Sequence, residues 1–367
     1  MKKKIIAAII FTLVTTSIVA CGNDEEKKKD SKTTKETQTE TVIEEPTKAE
    51  MVTEPETEIN RNELKEGEMY SYLTGAPVKM EQGNRRPIAV AYSNIKTALP
   101  QTGISRADII YEAQVEGGIT RLLAIMENYD DLLKIGSVRS ARPHYIHFAN
   151  EYDAVYVHFG QCDYALDMIK KGMIDDVNGL YSQGNFYRTT DRKPPHNAYT
   201  SGAGLNENIQ KRFRTHYEAG FAKHFNFAEY GTKIDLANGY TANIVKTGYA
   251  NGGYFTYNPE DSLYYRSEFD APEIDDMNGQ QLAYSNVILQ YCSWGYYDDN
   301  YRVKIDLTSG GAGKFITGGK AIDVTWSKGE DGITKYFAAD GEEIVLNTGK
   351  TWVCIIFDSQ AGRVSIE

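Results

Sequence analysis

From Arg86 onward, short apolar runs alternate with stretches of helical spacing. Ile88-Ala89-Val90-Ala91-Tyr92, Asp108 to Glu116, Leu122 to Glu127 and Ala154 to Phe159 read as strands. The segments from Pro143 to Tyr152 and from Asp163 to Lys171 carry the spacing of helices. Past Glu218 the pattern changes. Beyond the glycine- and asparagine-containing stretch Gly231 to Gly239, nearly everything is strand-like and is punctuated by Asn251-Gly252-Gly253, Gly318-Gly319 and Asp340-Gly341, the residue types of hairpin turns. The pattern predicts an α+β chain: an N-terminal mixed α/β domain over 61–218, then a mostly antiparallel β domain over 232–367.

The first sixty residues follow different rules. Lys2, Lys3 and Lys4 precede an apolar run from Ile5 to about Ala20, which is the layout of a signal peptide over 1–20. The run is shorter than the ~20 residues a membrane-spanning helix needs, and a strongly polar stretch follows it at once. Small residues before Cys21 suit acylation of its thiol. Cys21 is therefore the expected lipid attachment point, and a diacylglyceryl group there anchors stably where one chain binds only marginally. From Gly22 to Asn60 there is no aromatic residue, and 12 acidic side chains face 6 basic ones. Such a segment buries too little to fold. Residues 21–60 read as a spacer that, as a flexible coil of ~39 residues, spans on the order of 35 Å.

Charge and cysteine usage narrow the function classes. The chain carries a formal net charge of -11 and has no Lys/Arg-rich stripe, which disfavours a nucleic-acid partner. With Cys21 assigned to lipid, Cys162, Cys292 and Cys354 are odd in number and widely spaced, so they form neither a disulfide framework nor a C-x-x-C motif and read as core residues. The 26 tyrosines against 3 tryptophans suit strands. An aromatic surface for sugar rings is the alternative reading.

Three constellations carry candidate chemistry. In a strand from Asp108, period two places Asp108, Glu112, Gln114 and Glu116 on one face. A two-residue Gly117-Gly118 hairpin then sets Arg121 opposite Gln114, diagonal to Glu112 and Glu116, with Ile119, Leu123 and Ile125 on that same face. A solvated, salt-bridged sheet face is the competing explanation. The second constellation is Ile135-Gly-Ser-Val-Arg139-Ser140-Ala-Arg142-Pro143, a strand end running into a helix, with Pro143 in the first turn and Ser140 as a candidate cap. Backbone N–H groups there, with Arg139 and Arg142, suit phosphate or carboxylate; arginines tied to the neighbouring acids are the alternative. The third comprises His158 near a strand end and Pro195-His196-Asn197, histidines being possible acid–base groups or satisfied structural ones.

Other motifs are weaker. His144 and His147 share an i, i+3 spacing, but no third ligand and no H-E-x-x-H accompanies them, so no metal or other cofactor is expected. Gly310-Gly-Ala-Gly-Lys314 lacks phosphate-loop spacing and has Phe315 where Ser or Thr belongs, so turn glycines are the better reading. There is no G-x-S-x-G elbow.

Taken together, Arg86-Arg-Pro-Ile-Ala-Val, Leu99-Pro-Gln-Thr-Gly-Ile-Ser-Arg-Ala-Asp108, Glu116-Gly-Gly-Ile-Thr-Arg121, Ser137-Val-Arg-Ser-Ala-Arg142 and Pro195-His-Asn197 resemble the YerB-like family of bacterial lipoproteins. Lys304 to Lys314 and Gly349-Lys-Thr-Trp352 extend the resemblance over both folded regions. It implies two successive domains and a lipid anchor, in a family with no assigned biochemical activity. It also implies that Asp108, Glu116, Arg121, Arg139, Ser140, Arg142, His196 and Asn197 are the recurring polar positions. The chain departs from the family pattern between Asn178 and Arg188 and from Tyr249 to Tyr265.

Three functions follow as expectations. The first is an extracytoplasmic, membrane-anchored protein that binds an anionic or glycan ligand of the cell envelope through Arg121, Arg139, Ser140, Arg142 and Asn197. The second is a hydrolase of a glycan or phosphodiester using Glu112, Glu116 and His196, for which carboxylates roughly 5–9.5 Å apart would suit glycoside chemistry. The third is a protein-interaction scaffold.

Overall fold

All seven residues of Ile88–Asn94 are buried, as are all of Ile109–Gln114 and Thr120–Met126. Strands buried at every position need cover on both faces, and this need organises the molecule. The structure, a computed structural model, describes residues 63–181 and 183–367. The expected signal peptide, Cys21 and the spacer lie outside the described residues.

The main sheet contains β1 (Ile88–Asn94), β2 (Ile109–Gln114), β3 (Thr120–Met126), β4 (Val155–His158), β5 (Asp176–Asn178), β6 (Tyr240–Thr241), β7 (Asn286–Cys292), β8 (Gly311–Thr317), β9 (Lys320–Lys328), β10 (Thr334–Phe337) and β11 (Thr351–Phe357). Its order is β6-β9-β8-β7-β11-β2-β3-β1-β4-β5, with β10 paired to β9. The N-terminal half is mixed: β2/β3 and β3/β1 are antiparallel, β1/β4 and β4/β5 parallel. The C-terminal half is largely antiparallel. The two meet where β11 lies parallel to β2, Thr351 beside Ile109 through Ile355 beside Ala113.

Helices α1 (Pro143–Asn150) and α2 (Asp163–Lys170) cover one face, where Tyr145, Ile146 and Phe148 pack with Tyr111, Leu123, Ile125, Val353 and Ile355. Helix α3 (Gly202–Arg212) and a six-stranded antiparallel sheet cover the other. There Leu205, Val245, Phe255 and Tyr284 pack with Ile110, Leu122, Val287 and Trp352. Pro143 opens α1 as its residue type suggests. Ser140 does not cap that helix: Arg142 holds the cap position without a side-chain bond, and Ser140 Oγ donates to the Phe159 carbonyl at 3.0 Å. Cys162, Cys292 and Cys354 are free and buried.

The β2–β3 hairpin corrects one expectation. Val115 N–H donates to Ile119 O at 2.8 Å, so the loop is the three residues Glu116-Gly117-Gly118. Both glycines have positive φ, at 77° and 71°. The extra loop residue shifts the register by one, so Arg121 faces Ala113 and Thr120 faces Gln114. A one-residue shift exchanges the faces of a strand. Arg121, Leu123 and Ile125 therefore lie on the α1 face, away from Glu112.

Candidate functional site

The exchange of faces divides the predicted polar cluster in two. On the α1 face, the Arg121 guanidinium is buried and donates from Nη1 to the Ser140 carbonyl at 2.6 Å. Arg142, at the start of α1, grips Glu116 of the hairpin loop. Its Nε reaches Oε1 at 2.7 Å and Oε2 at 2.9 Å, and its Nη2 reaches Oε2 at 2.7 Å. Burial works to raise the Glu116 carboxyl, but these bonds and the Arg142 charge outweigh it and hold the group below its ordinary range.

Arg139 donates to the Pro195 carbonyl at 2.9 Å and lies 3.3 Å from His196 Nδ1, which also meets Ser93 Oγ at 3.1 Å. Ser93 is the β1 residue opposite Arg121, which explains its place here. Asn197 is buried and acts as a strut, its Oδ1 accepting from Arg188 at 2.7 Å and its Nδ2 donating to the Thr189 carbonyl at 2.7 Å. The structure thus gathers Glu116, Arg121, Arg139, Ser140, Arg142, His196 and Asn197. It adds Ser93 and Arg188, which pattern reasoning missed. Arg188 lies within the span that departs from the family pattern, and only its neighbour Asn197 hinted at it.

The charge of this cluster is unbalanced. Among the described residues, Arg121, Arg139 and Arg188 form no ion pair with a carboxylate, and Glu116 is taken by Arg142. Burial, then the charges of Arg142 and Arg139, bring Arg121 down to about 9. Burial and the charges of Arg142 and Arg188 lower Arg139. His196 is lowered by burial and then by Arg139 and Arg121, which favours its neutral form. Arg121 and Arg139 each feel the positive charge of neighbouring arginines, and an anion placed among them would relieve that repulsion.

On the opposite face Glu112 has a different setting. It is 0% exposed and 2.8 Å from the equally enclosed Arg266. It also accepts from Thr120 Oγ1 at 2.9 Å and Asn251 Nδ2 at 3.0 Å. Glu268 and Glu273 stand 3.6 and 3.5 Å from the same guanidinium. The ring faces of Phe255 and Trp352 lie 5.0 and 5.1 Å from it. Burial, with a contribution from the Glu112 charge, raises Glu268 to about 7 despite Arg266, while burial and the Glu268 charge push Glu273 well up. The structure does not bring the two expected acids together: Glu112 is enclosed on this face, and Glu116 turns to Arg142 on the other. Asp108 is also apart, accepting the Glu127 N–H at 2.9 Å.

His158 has both ring nitrogens engaged, with the Gly160 carbonyl at 2.8 Å and Asp176 at 3.1 Å, as a structural histidine would. Lys314 of the glycine run pairs with Asp323 at 2.5 Å. No group of three or more metal-ligating side chains occurs among the described residues, and no described helix is long and apolar enough to cross a membrane.

A mixed sheet continued by an antiparallel one, with polar motifs of both regions ordered along the chain, defines a two-domain protein of the kind the sequence resemblance implied. The chain belongs to the DUF3048 family of proteins of unknown function, whose N-terminal domain matches residues 73–218 and C-terminal domain residues 244–353. It is 32% identical over 302 residues to "Putative lipoprotein YerB" of Bacillus subtilis (strain 168), an alignment covering 80% of this chain and 88% of the relative. The crystal structure of the YerB protein from Bacillus subtilis superposes with a TM-score of 0.71 at 30% identity, covering 82% of this chain and 99% of that one.

Proposed function

We propose that this lipoprotein-family member is held at the outer face of the cytoplasmic membrane through Cys21. There it binds an anionic ligand of the cell envelope, a glycan or polymer bearing carboxylate or phosphate, at Arg121, Arg139 and Arg142. The observation that carries the reading is the charge imbalance: among the described residues Arg121, Arg139 and Arg188 form no ion pair with a carboxylate, while Glu116 is taken by Arg142. Holding such groups together costs free energy unless something negative joins them. Ser140 and Asn197 position the arginines through their backbone and side-chain bonds. Enclosure of Glu112 removes one of the two candidate acids of the hydrolase reading, which supports binding over turnover.

The test is the melting temperature of the lipid-free chain from Gly22 against wall glycans, teichoic-acid fragments, phosphate and divalent metals. A ligand specific to the native state raises the melting point by mass action. A rise with an anionic compound that Arg139→Ala abolishes is the expected result. Equal rises in parent and variant would refute the placement.

A further inference from the structure

Separate from the arginine cluster, a cleft of about 670 Å³ runs between α1 and the hairpin Trp294–Tyr296/Val303–Ile305, with His144, His147, Trp294, Tyr297, Lys304 and Lys328 among its lining. That volume lies within the ~300–1,000 Å³ of small-molecule sites. Its floor holds an unexplained group. His144 is 2% exposed, and neither of its ring nitrogens has a hydrogen-bond partner among the described residues. Burying a polar ring with both nitrogens idle is unfavourable, and most buried polar groups are satisfied. Burial, then the charges of Arg142 and Arg121, lower its pKa well below the usual value and keep it neutral. A neutral imidazole has one donor and one acceptor nitrogen, and a hydroxyl, which both donates and accepts, can pair with either.

The charges of the cleft are sorted in a comparable way. Asp306 is spent on its own turn, accepting from Thr308 and Ser309. Lys328 is paired with Glu151 at 2.7 Å. Lys304 is exposed, lies 5.8 Å from the centre of the Tyr297 ring, and forms no ion pair among the described residues. Aromatic rings at the wall, a donor–acceptor at the floor without a partner among the described residues, and a lysine at the rim that forms no ion pair among them make a coherent set.

We infer that this cleft binds a saccharide carrying a carboxylate or phosphate, its ring against Trp294 and Tyr297, a hydroxyl at His144 and its charge at Lys304. The inference does not depend on the arginine cluster, and the two can fail separately.

Trp326 and Trp352 are 2% and 0% exposed, so of the chain's 3 tryptophans Trp294 supplies the acrylamide-quenchable fluorescence. The probes are N-acetylmuramic acid, N-acetylglucosamine 6-phosphate and uncharged N-acetylglucosamine, added to the lipid-free chain from Gly22. Protection of Trp294 by one or both acidic sugars is expected, at concentrations about tenfold below those needed with the neutral one. The more effective of the two identifies the anionic group. Lys304→Glu, at an exposed position, should erase that preference, and His144→Phe should weaken protection by every sugar. Arg139→Ala should leave protection unchanged. The inference is overturned if no sugar protects at millimolar concentration, if Lys304→Glu protects like the parent, or if protection is lost in Arg139→Ala instead.

Discussion

Arg266 and Glu112 stand 154 residues apart in the chain and 2.8 Å apart in space, with no solvent-accessible area on either side chain. Breaking a buried pair leaves its remaining member uncompensated, at a cost of about 3–5 kcal/mol. Here three carboxylates depend on one guanidinium. Arg266→Met should destabilise the protein by at least that amount, read from the denaturant midpoint.

Gly253 provides the space for that guanidinium, since a Cβ there would overlap its nitrogens. Gly117 has positive φ, but a methyl group at its Cα would meet nothing within 4 Å. Gly117→Ala should therefore cost only about 1–2 kcal/mol from its left-handed backbone. Gly253→Ala should cost more, as it displaces a buried charge. Equal losses in parallel denaturation curves would contradict this ordering.

The acids predict a stability maximum at mildly acidic pH. Burial, then the charge of Asp108, raise Glu127 from 4.5 to about 8. A carboxyl with a raised folded-state pKa binds its proton more tightly when folded, so its contribution is complete below pH 4.5 and is lost as pH climbs toward 8. Glu268, raised to about 7, acts in the same direction. Glu151 opposes them: burial would raise it, but the His224 hydrogen bond and charge and Lys328 bring it to about 2, so its contribution is present above pH 4.5 and is lost as pH falls toward 2. The melting temperature should fall between pH 5 and pH 8, and Glu127→Gln should narrow that difference.

Glu116→Gln tests the charge balance of the arginine cluster. The substitution frees Arg142 from its carboxylate partner Glu116 and removes one negative charge. Binding of an anionic ligand should tighten and become more sensitive to added salt, while intrinsic stability falls by roughly 1 kcal/mol. Titrations at two ionic strengths would show both changes; weaker binding in Glu116→Gln would refute the proposed role.

Much of this arrangement could be read from residue order. The strands at Ile88, Asp108 and Ala154 and the helix opened by Pro143 follow from periodicity and from proline's preference for the first turn. The polar motifs from Glu116 to Asn197 were legible as a group because each is local. Register was not, because a loop of three residues and a loop of two both accommodate Gly117-Gly118, and only the backbone bond from Val115 to Ile119 decides between them. Arg266 escaped for another reason. It sits in a tyrosine-rich strand whose pattern explains packing alone, and its acidic partner Glu112 comes from the other half of the chain.

Strand β11 separates β2 from β7 in the main sheet and follows both in the chain. Synthesis from the N-terminus must leave the β2 edge unpaired until Thr351–Phe357 arrives. Its neighbours are too apolar to stay exposed without risk of pairing with another molecule. During synthesis the N-terminal region is therefore an incomplete sheet, and its need for protection lasts for as long as β11 remains to be delivered.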